Sequence, residues 1–134
     1  MTKNFIIDKA IYLLFNSKYY DLHNHYLLEC IILNPLEKKI KLSWVKRNKS
    51  LISSENDIII EMIFTGASYF QLSSNFISNS INTIQEIGYK DPQDFDLDWL
   101  NYEIHFHEKQ HIFLRFEDDE FIRIYAENIE VVLI

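Results

Sequence analysis

The chain reads as an α+β domain that is mainly β: an antiparallel sheet, or a two-sheet sandwich, of about seven or eight strands with one helix inserted at residues 74–87. Three observations predict this. Towards the C-terminus every second residue is large and apolar, first Leu100, Tyr102, Ile104 and Phe106, then Ile112, Leu114 and Phe116, then Ile122 and Ile124, then Ile129, Val131 and Leu133. A period of two means strand, so residues 99–134 read as a β-meander. Earlier, Phe76, Ile77, Ile81, Ile84 and Ile87 recur at three- and four-residue steps, the period of a helix. Finally, alanine is confined to Ala10, Ala67 and Ala126, so little further helix is expected.

In order along the chain, residues 4–15 fit a helical stripe of Phe5, Ile6, Ile7, Ile11, Tyr12, Leu14 and Phe15, while their β-branched content favours the strand adopted here. Residues 16–25 are polar and aromatic without period and read as a loop. The apolar run at 26–33, the turn Asn34-Pro35-Leu36-Glu37-Lys38-Lys39 and the alternation of Ile40, Leu42 and Trp44 make a hairpin. Residues 46–57, rich in Ser and Asn, read as a loop, and residues 58–65 as a strand that ends at Gly66 and continues through Tyr69, Phe70 and Leu72 beyond a kink or bulge. Ser73 or Ser74 is placed to cap the helix and Gly88 to end it. Asp91-Pro92-Gln93-Asp94 is a turn into the meander, whose connections are Glu108-Lys109-Gln110, the four carboxylates at 117–120 and Ala126-Glu127-Asn128. Residues 131–134 are apolar on both faces, which places that strand in the interior of a sheet.

With 134 residues, a single domain spanning residues 1–134 is expected, and 48% hydrophobic residues supply a core without a cofactor. The formal charge of −7 opposes approach to nucleic acid or an anionic membrane and favours basic partners. Cys30 is alone, so no intramolecular disulfide forms, and its apolar neighbours make it a small buried hydrophobe. The absence of a signal peptide and of any uncharged run long enough to span a bilayer predicts a cytoplasmic protein.

Two sets of residues could carry chemistry. His23/His25 and His105/His107 are H-x-H pairs, with His111 across the next turn; on a strand His105 and His107 would point to one side and could ligate one metal, with His23/His25 and Glu29 or Glu103 completing the shell. The opposing reading is that Trp99, Asn101, Glu103, His105 and His107 are the polar alternates of a solvated sheet face. Asp91, Asp94, Asp96 and Asp98, followed by Glu103, are interleaved with Phe95, Leu97 and Trp99. Counting from Asp94, a calcium loop would need glycine where Trp99 stands and a carboxylate where His105 stands, which excludes that reading. The segment is then either a solvated edge or a surface for a basic partner, joined by Glu117, Asp118, Asp119 and Glu120 at a hairpin tip. No nucleophile elbow and no glycine-rich phosphate loop occurs, so an enzyme is not expected.

The segments DLHNHYLLECIIL, KIKLSW, IIIEMIFTGASYFQL and IFLRFEDDEFIRIYAENIEV together resemble the small, acidic, β-rich immunity proteins of bacterial polymorphic-toxin and contact-dependent inhibition systems. The resemblance implies a non-enzymatic, cytoplasmic protein that binds and neutralises a cognate toxin domain, in many cases a nuclease with a basic cleft. Asp94, Asp96, Asp98, Glu103, Glu117, Asp118, Asp119 and Glu120 would steer that partner, and Trp99 would anchor it, Tyr102 being expected to face inward. The runner-up is a metal-binding module or metal-dependent enzyme using the histidine pairs. A third reading is a domain whose sheet edge pairs with its own copy, so the expected state is a monomer or a weak homodimer.

Overall fold

The computed structural model describes residues 1–47 and 59–134, and the expected loop at 46–57 falls, from residue 48 onward, outside the described residues. Among the described residues ten strands form two sheets. The strands are β1 (Thr2–Lys3), β2 (Ile6–Asp8), β3 (Tyr12–Phe15), β4 (Lys18–Asp21), β5 (Tyr26–Asn34), β6 (Lys39–Lys46), β7 (Ile59–Leu72), β8 (Ile84–Lys90), β9 (His111–Phe116) and β10 (Phe121–Leu133). The larger sheet runs β5-β6-β7-β10-β9-β8, with β1 pairing in parallel with β10; the smaller is β2-β3-β4. Every other pairing between strands is antiparallel.

The predicted mainly antiparallel β architecture is what forms, but the helix at 74–87 does not. Residues 74–80 are turns, with Ser80 at a positive φ of 53°, and Ile84 already belongs to β8. The helical spacing has two physical sources. Phe76 and Ile81 drop into the core from the turns while Ile77 stays 78% exposed. Ile84 and Ile87 both reach the core because a bulge lies between Ile84 and Glu86, which returns the same face after three residues instead of two.

Gly88 therefore does not end a helix. It lies within β8, where a Cβ would meet the Asn101 carbonyl oxygen at 2.8 Å and the Leu100 Cβ at 2.9 Å. Gly88→Ala is expected to cost about 1–3 kcal/mol by overpacking, read as a lowered urea midpoint at unchanged slope; an unchanged midpoint would show that the Leu100 segment yields without cost.

Three further expectations need correction. Residues 100–106 are not a strand, because only Asn101 bridges to Tyr89 and the chain then winds through a 3-10 turn at Glu103–His105. Ala126-Glu127-Asn128 is not a turn, since β10 is continuous from Phe121 to Leu133. It marks where the core-facing alternates change from Ile122, Ile124 and Ala126 to Ile129 and Val131, opposite the irregular stretch of β7 around Gly66 and Ser68. Gly66 sits there at φ +67°, with Glu127 so close that a Cβ would lie 2.7 Å from its carboxylate. Residues 16–25 are not all loop: Asn16 and Ser17, at φ 50° and 63°, form a tight turn that pairs β3 with β4.

The N-terminal stretch is a hairpin of two strands, β2 and β3, turned at Lys9 and Ala10 with φ 50° and 60°. The bulge on β7, the hairpin β5-β6, the hairpin β9-β10 and the interior position of β10 match the expectations. The small sheet supplies Leu13 and Tyr20, and Leu22 follows it, to a core shared with Leu42, Trp44, Met62, Phe64, Leu114 and Ile124. Ile112, Leu114 and Phe116 of β9 join that core, whereas Phe113 joins a second, small one with Phe121 and Leu100 on the opposite face. Residues 91–101 lie over that second face.

The two edges of the large sheet are treated differently. At β8 the Ile87 N–H donates to the Ala10 carbonyl at 2.6 Å, the His23 ring bonds the Ile84 carbonyl, and Tyr89 bridges to Asn101. That edge is covered. At β5 the Leu28 N–H donates to the Asn82 carbonyl at 2.9 Å, and beyond it Cys30–Asn34 has no backbone partner on its outer side among the described residues.

Candidate functional site

The site begins with cations buried under an acidic loop. On the second face of β8, β9 and β10 the alternation brings together Lys90, Phe113, Arg115, Phe121 and Arg123, since Phe113 stands opposite both Gly88 and Arg123, and Arg115 opposite both Glu86 and Phe121. Arg123 is fully buried and donates to the Asp94 carbonyl at 2.6 Å, the Asp91 carbonyl at 3.0 Å and the His111 Nδ1 at 2.9 Å. Its guanidinium also lies 5.3 Å from the Phe95 ring centre and 5.7 Å from that of Tyr69. Lys90, 1% exposed, donates to the Trp99 carbonyl and lies 3.6 Å from the Asp94 carboxylate. Arg115 donates to the Leu97 carbonyl and to Glu86 at 2.8 Å.

Three cations therefore hold residues 91–99 by backbone oxygens, which leaves most of the acidic side chains outside. The carbonyl dipoles and the nearby carboxylates offset the cost of burying the charges. The aspartates shape the loop further: Asp94 accepts from the Asp96 N–H at 2.9 Å and Asp96 from the Asp98 N–H at 2.8 Å. Asp91 accepts from Gln110 and from His107, at 3.0 and 2.8 Å, and these bonds hold its carboxyl below the usual carboxylate range. His111 is pushed down to about 4 by burial, with the Arg123 charge adding to the effect, so at neutral pH it is the uncharged acceptor that Arg123 requires.

Outward, the same segment presents Phe95, Leu97, Trp99, Tyr102 and Ile104 at 66, 38, 70, 57 and 85% exposure. Tyr102, expected to face inward, faces out. The reason is Glu103, whose carboxylate is drawn in to accept from the Ile7 N–H at 2.8 Å, the Tyr89 hydroxyl at 2.8 Å and the Lys3 ammonium at 2.7 Å, so that its neighbours turn away. Lys3 is held in turn over the Phe106 ring at 4.5 Å. A cleft of about 420 Å³ opens beside this turn, lined by Ile6, Ile7, Asp8, Lys9, Ala10, Tyr102, Glu103 and Ile104.

The expected site residues thus separate. Asp96, Asp98 and Trp99 are exposed on the loop and Asp94 is half-buried beside Lys90. Asp118 and Asp119 are exposed at the β9-β10 tip, both at positive φ. Glu120 is buried and accepts from Ser73 Oγ at 2.9 Å and the Asn75 N–H at 3.1 Å; Glu117 accepts from the Asn82 N–H at 3.3 Å. Glu103, Glu117 and Glu120 are committed to the fold. Arg115, which carries Leu97, pairs with Phe121 next to Glu120, so the loop extends towards the tip end of the hairpin.

The histidine pairs do not lie on strands, which removes the same-side argument for them. His105 is in the 3-10 turn, His107 bonds Asp91, and His23 bonds Ile84. Among the described residues no group of three or more His, Cys, Asp or Glu side chains is placed to hold a metal ion. The sequence reading missed Lys90, Arg115 and Arg123. The available signal was Phe113-x-Arg115 and Phe121-x-Arg123, aromatic side chains recurring on the alternates that a solvated face would fill with polar ones.

Comparison of the chain with protein-family models, curated proteins and solved structures returns no match. No helix of the described residues is long and apolar enough to cross a membrane, which does not bear on β-barrels.

Proposed function

We propose that the chain is a non-enzymatic binding protein whose segment 91–104 docks a basic protein, and that its specific form is a cytoplasmic immunity protein neutralising a cognate bacterial toxin domain such as a nuclease. The observation that carries the reading is the run of five exposed large apolar side chains within ten residues, interleaved with Asp96 and Asp98 and held from beneath by buried cations. Exposed apolar patches of this kind mark interaction sites, and aromatic anchors supply most of the energy of an interface. A loop fixed before binding loses little further entropy on docking. The charge of −7 steers a cationic partner and rejects nucleic acid. The adjoining cleft gives a partner side chain a place beside Tyr102 and Ile104.

The test is calorimetric titration of the folded chain with the purified product of the adjacent gene. Trp99→Ala is expected to weaken binding by roughly 30-fold or more, as for a hot-spot aromatic. Asp96→Lys is expected to slow association and flatten its salt dependence, with a smaller effect on dissociation. Absence of binding by the folded wild type, or binding indifferent to both substitutions, would sink the proposal.

A further inference from the structure

We infer that Cys30–Asn34 of β5, unpaired on its outer side among the described residues, is a pairing edge for a second copy of this chain, which joins two large sheets through antiparallel β5 strands about a two-fold axis. The inference is independent of the docking loop, since β5 and β8 are opposite edges of the sheet. Three observations support it. Beyond Leu28 the outer backbone groups of this stretch have no partner among the described residues, although β8 is covered by three separate contacts. The guards that β5 does carry, a bulge between Leu28 and Cys30 and Pro35 after Asn34, lie just outside the stretch: within Cys30-Ile31-Ile32-Leu33 there is no proline and no charged residue, and Ile32 and Leu33 are 48 and 49% exposed.

Charge then selects the occupant. A two-fold centred on Ile32 sets Ile31 opposite the other copy's Leu33 and Cys30 opposite its Asn34, with no charged residue in the paired stretch. Glu29 points towards the turn of the other copy, where Lys38 and Lys39 stand. The acidic loops, fixed over β8, β9 and β10, lie at the far ends of the joined sheet, so two chains of charge −7 associate by their least acidic edges. A contact of five paired residues is small, below about 1,200 Å², and gives a weak dimer.

Sedimentation equilibrium of the wild-type chain over rising concentration tests this. Twice the chain mass is expected at the high end, and Ile32→Lys, which sets two ammonium groups against each other at an exposed position, should raise the dissociation constant at least about tenfold while leaving the circular dichroism unchanged. Amide exchange at residues 30–34 should slow as concentration rises. A wild-type chain that stays monomeric to its solubility limit, a dimer that Ile32→Lys leaves intact, or concentration-dependent protection confined to other segments overturns the inference.

Discussion

Replacing Arg123 by methionine will destabilise the chain by about 3–5 kcal/mol, the largest effect expected of any single substitution outside the main core. Methionine fills much of the volume but donates nothing, so the Asp91 and Asp94 carbonyls and His111 Nδ1 all lose the donor that holds them. Each buried acceptor left unpaired costs about 1–3 kcal/mol. Part of that loss will be relieved by release of residues 91–99, because Phe95 stacks on the same guanidinium. The variant should therefore show two changes: a lower urea midpoint, and faster amide exchange in residues 94–99 under native conditions. Arg123→Lys keeps the charge but cannot reach three acceptors with one ammonium group, so it should recover only part of the stability. An unfolding free energy for Arg123→Met within about 1 kcal/mol of wild type would mean that the loop is held by its apolar contacts and that the guanidinium is incidental.

Acid will weaken the fold well before the carboxylates protonate. His111 has its folded pKa depressed to about 4 from an ordinary 6.5. Between those values the unfolded chain takes up a proton that the folded chain does not, so stability rises with pH across that interval. The contribution is complete above pH 6.5, falls as pH drops towards 4 and levels off below. Its size is about 3 kcal/mol for a residue only 7% exposed. Asp91 acts in the same sense at lower pH: its folded pKa is depressed, so its contribution is present above the unfolded value and is lost as pH falls through the folded one. Unfolding free energies measured from pH 7.5 to 4 should decline for wild type and decline much less for His111→Gln, which keeps a side-chain acceptor and does not titrate. Parallel curves for the two proteins would remove His111 from the account.

The two predictions concern the same place, and it is where the sequence was least readable. The alternation Ile112, Leu114, Phe116 identified β9 correctly because those three side chains do share the main core, although His111 and Phe113 on the other face are buried as well. The same rule applied to Leu100, Tyr102, Ile104 and Phe106 predicts a strand that does not form, since Tyr102 and Ile104 point to solvent and Glu103 is turned inward by Lys3, Tyr89 and Ile7. Lys3 is a hundred positions away in the chain. Likewise the spacing of Phe76, Ile81, Ile84 and Ile87 matches a helix, yet it arises from turns followed by a bulged strand, and the bulge is set by pairing with Leu114, Arg115 and Phe116.

The candidate loop was half legible. Its acids and aromatics are contiguous, so Asp94, Asp96, Asp98 and Trp99 could be picked out by reading alone. The cations that hold them come from three strands and are adjacent only once β8, β9 and β10 lie side by side. Glu103, Glu117 and Glu120 could not be told from the others, because an inward carboxylate and an outward one have the same local pattern.

What the order of residues determined by itself was therefore local: strands where period and burial coincide, hairpins where polar turns separate them, a strongly negative surface, and an acidic aromatic segment after residue 90. Only the tertiary structure decided which carboxylates face water, which cations hold their loop from below, and which sheet edge has no partner among the described residues. Side-chain period records the faces of one strand, whereas the partner of a buried charge or of a free edge is set by elements far away in the chain, and their approach is governed by the packing of the whole core.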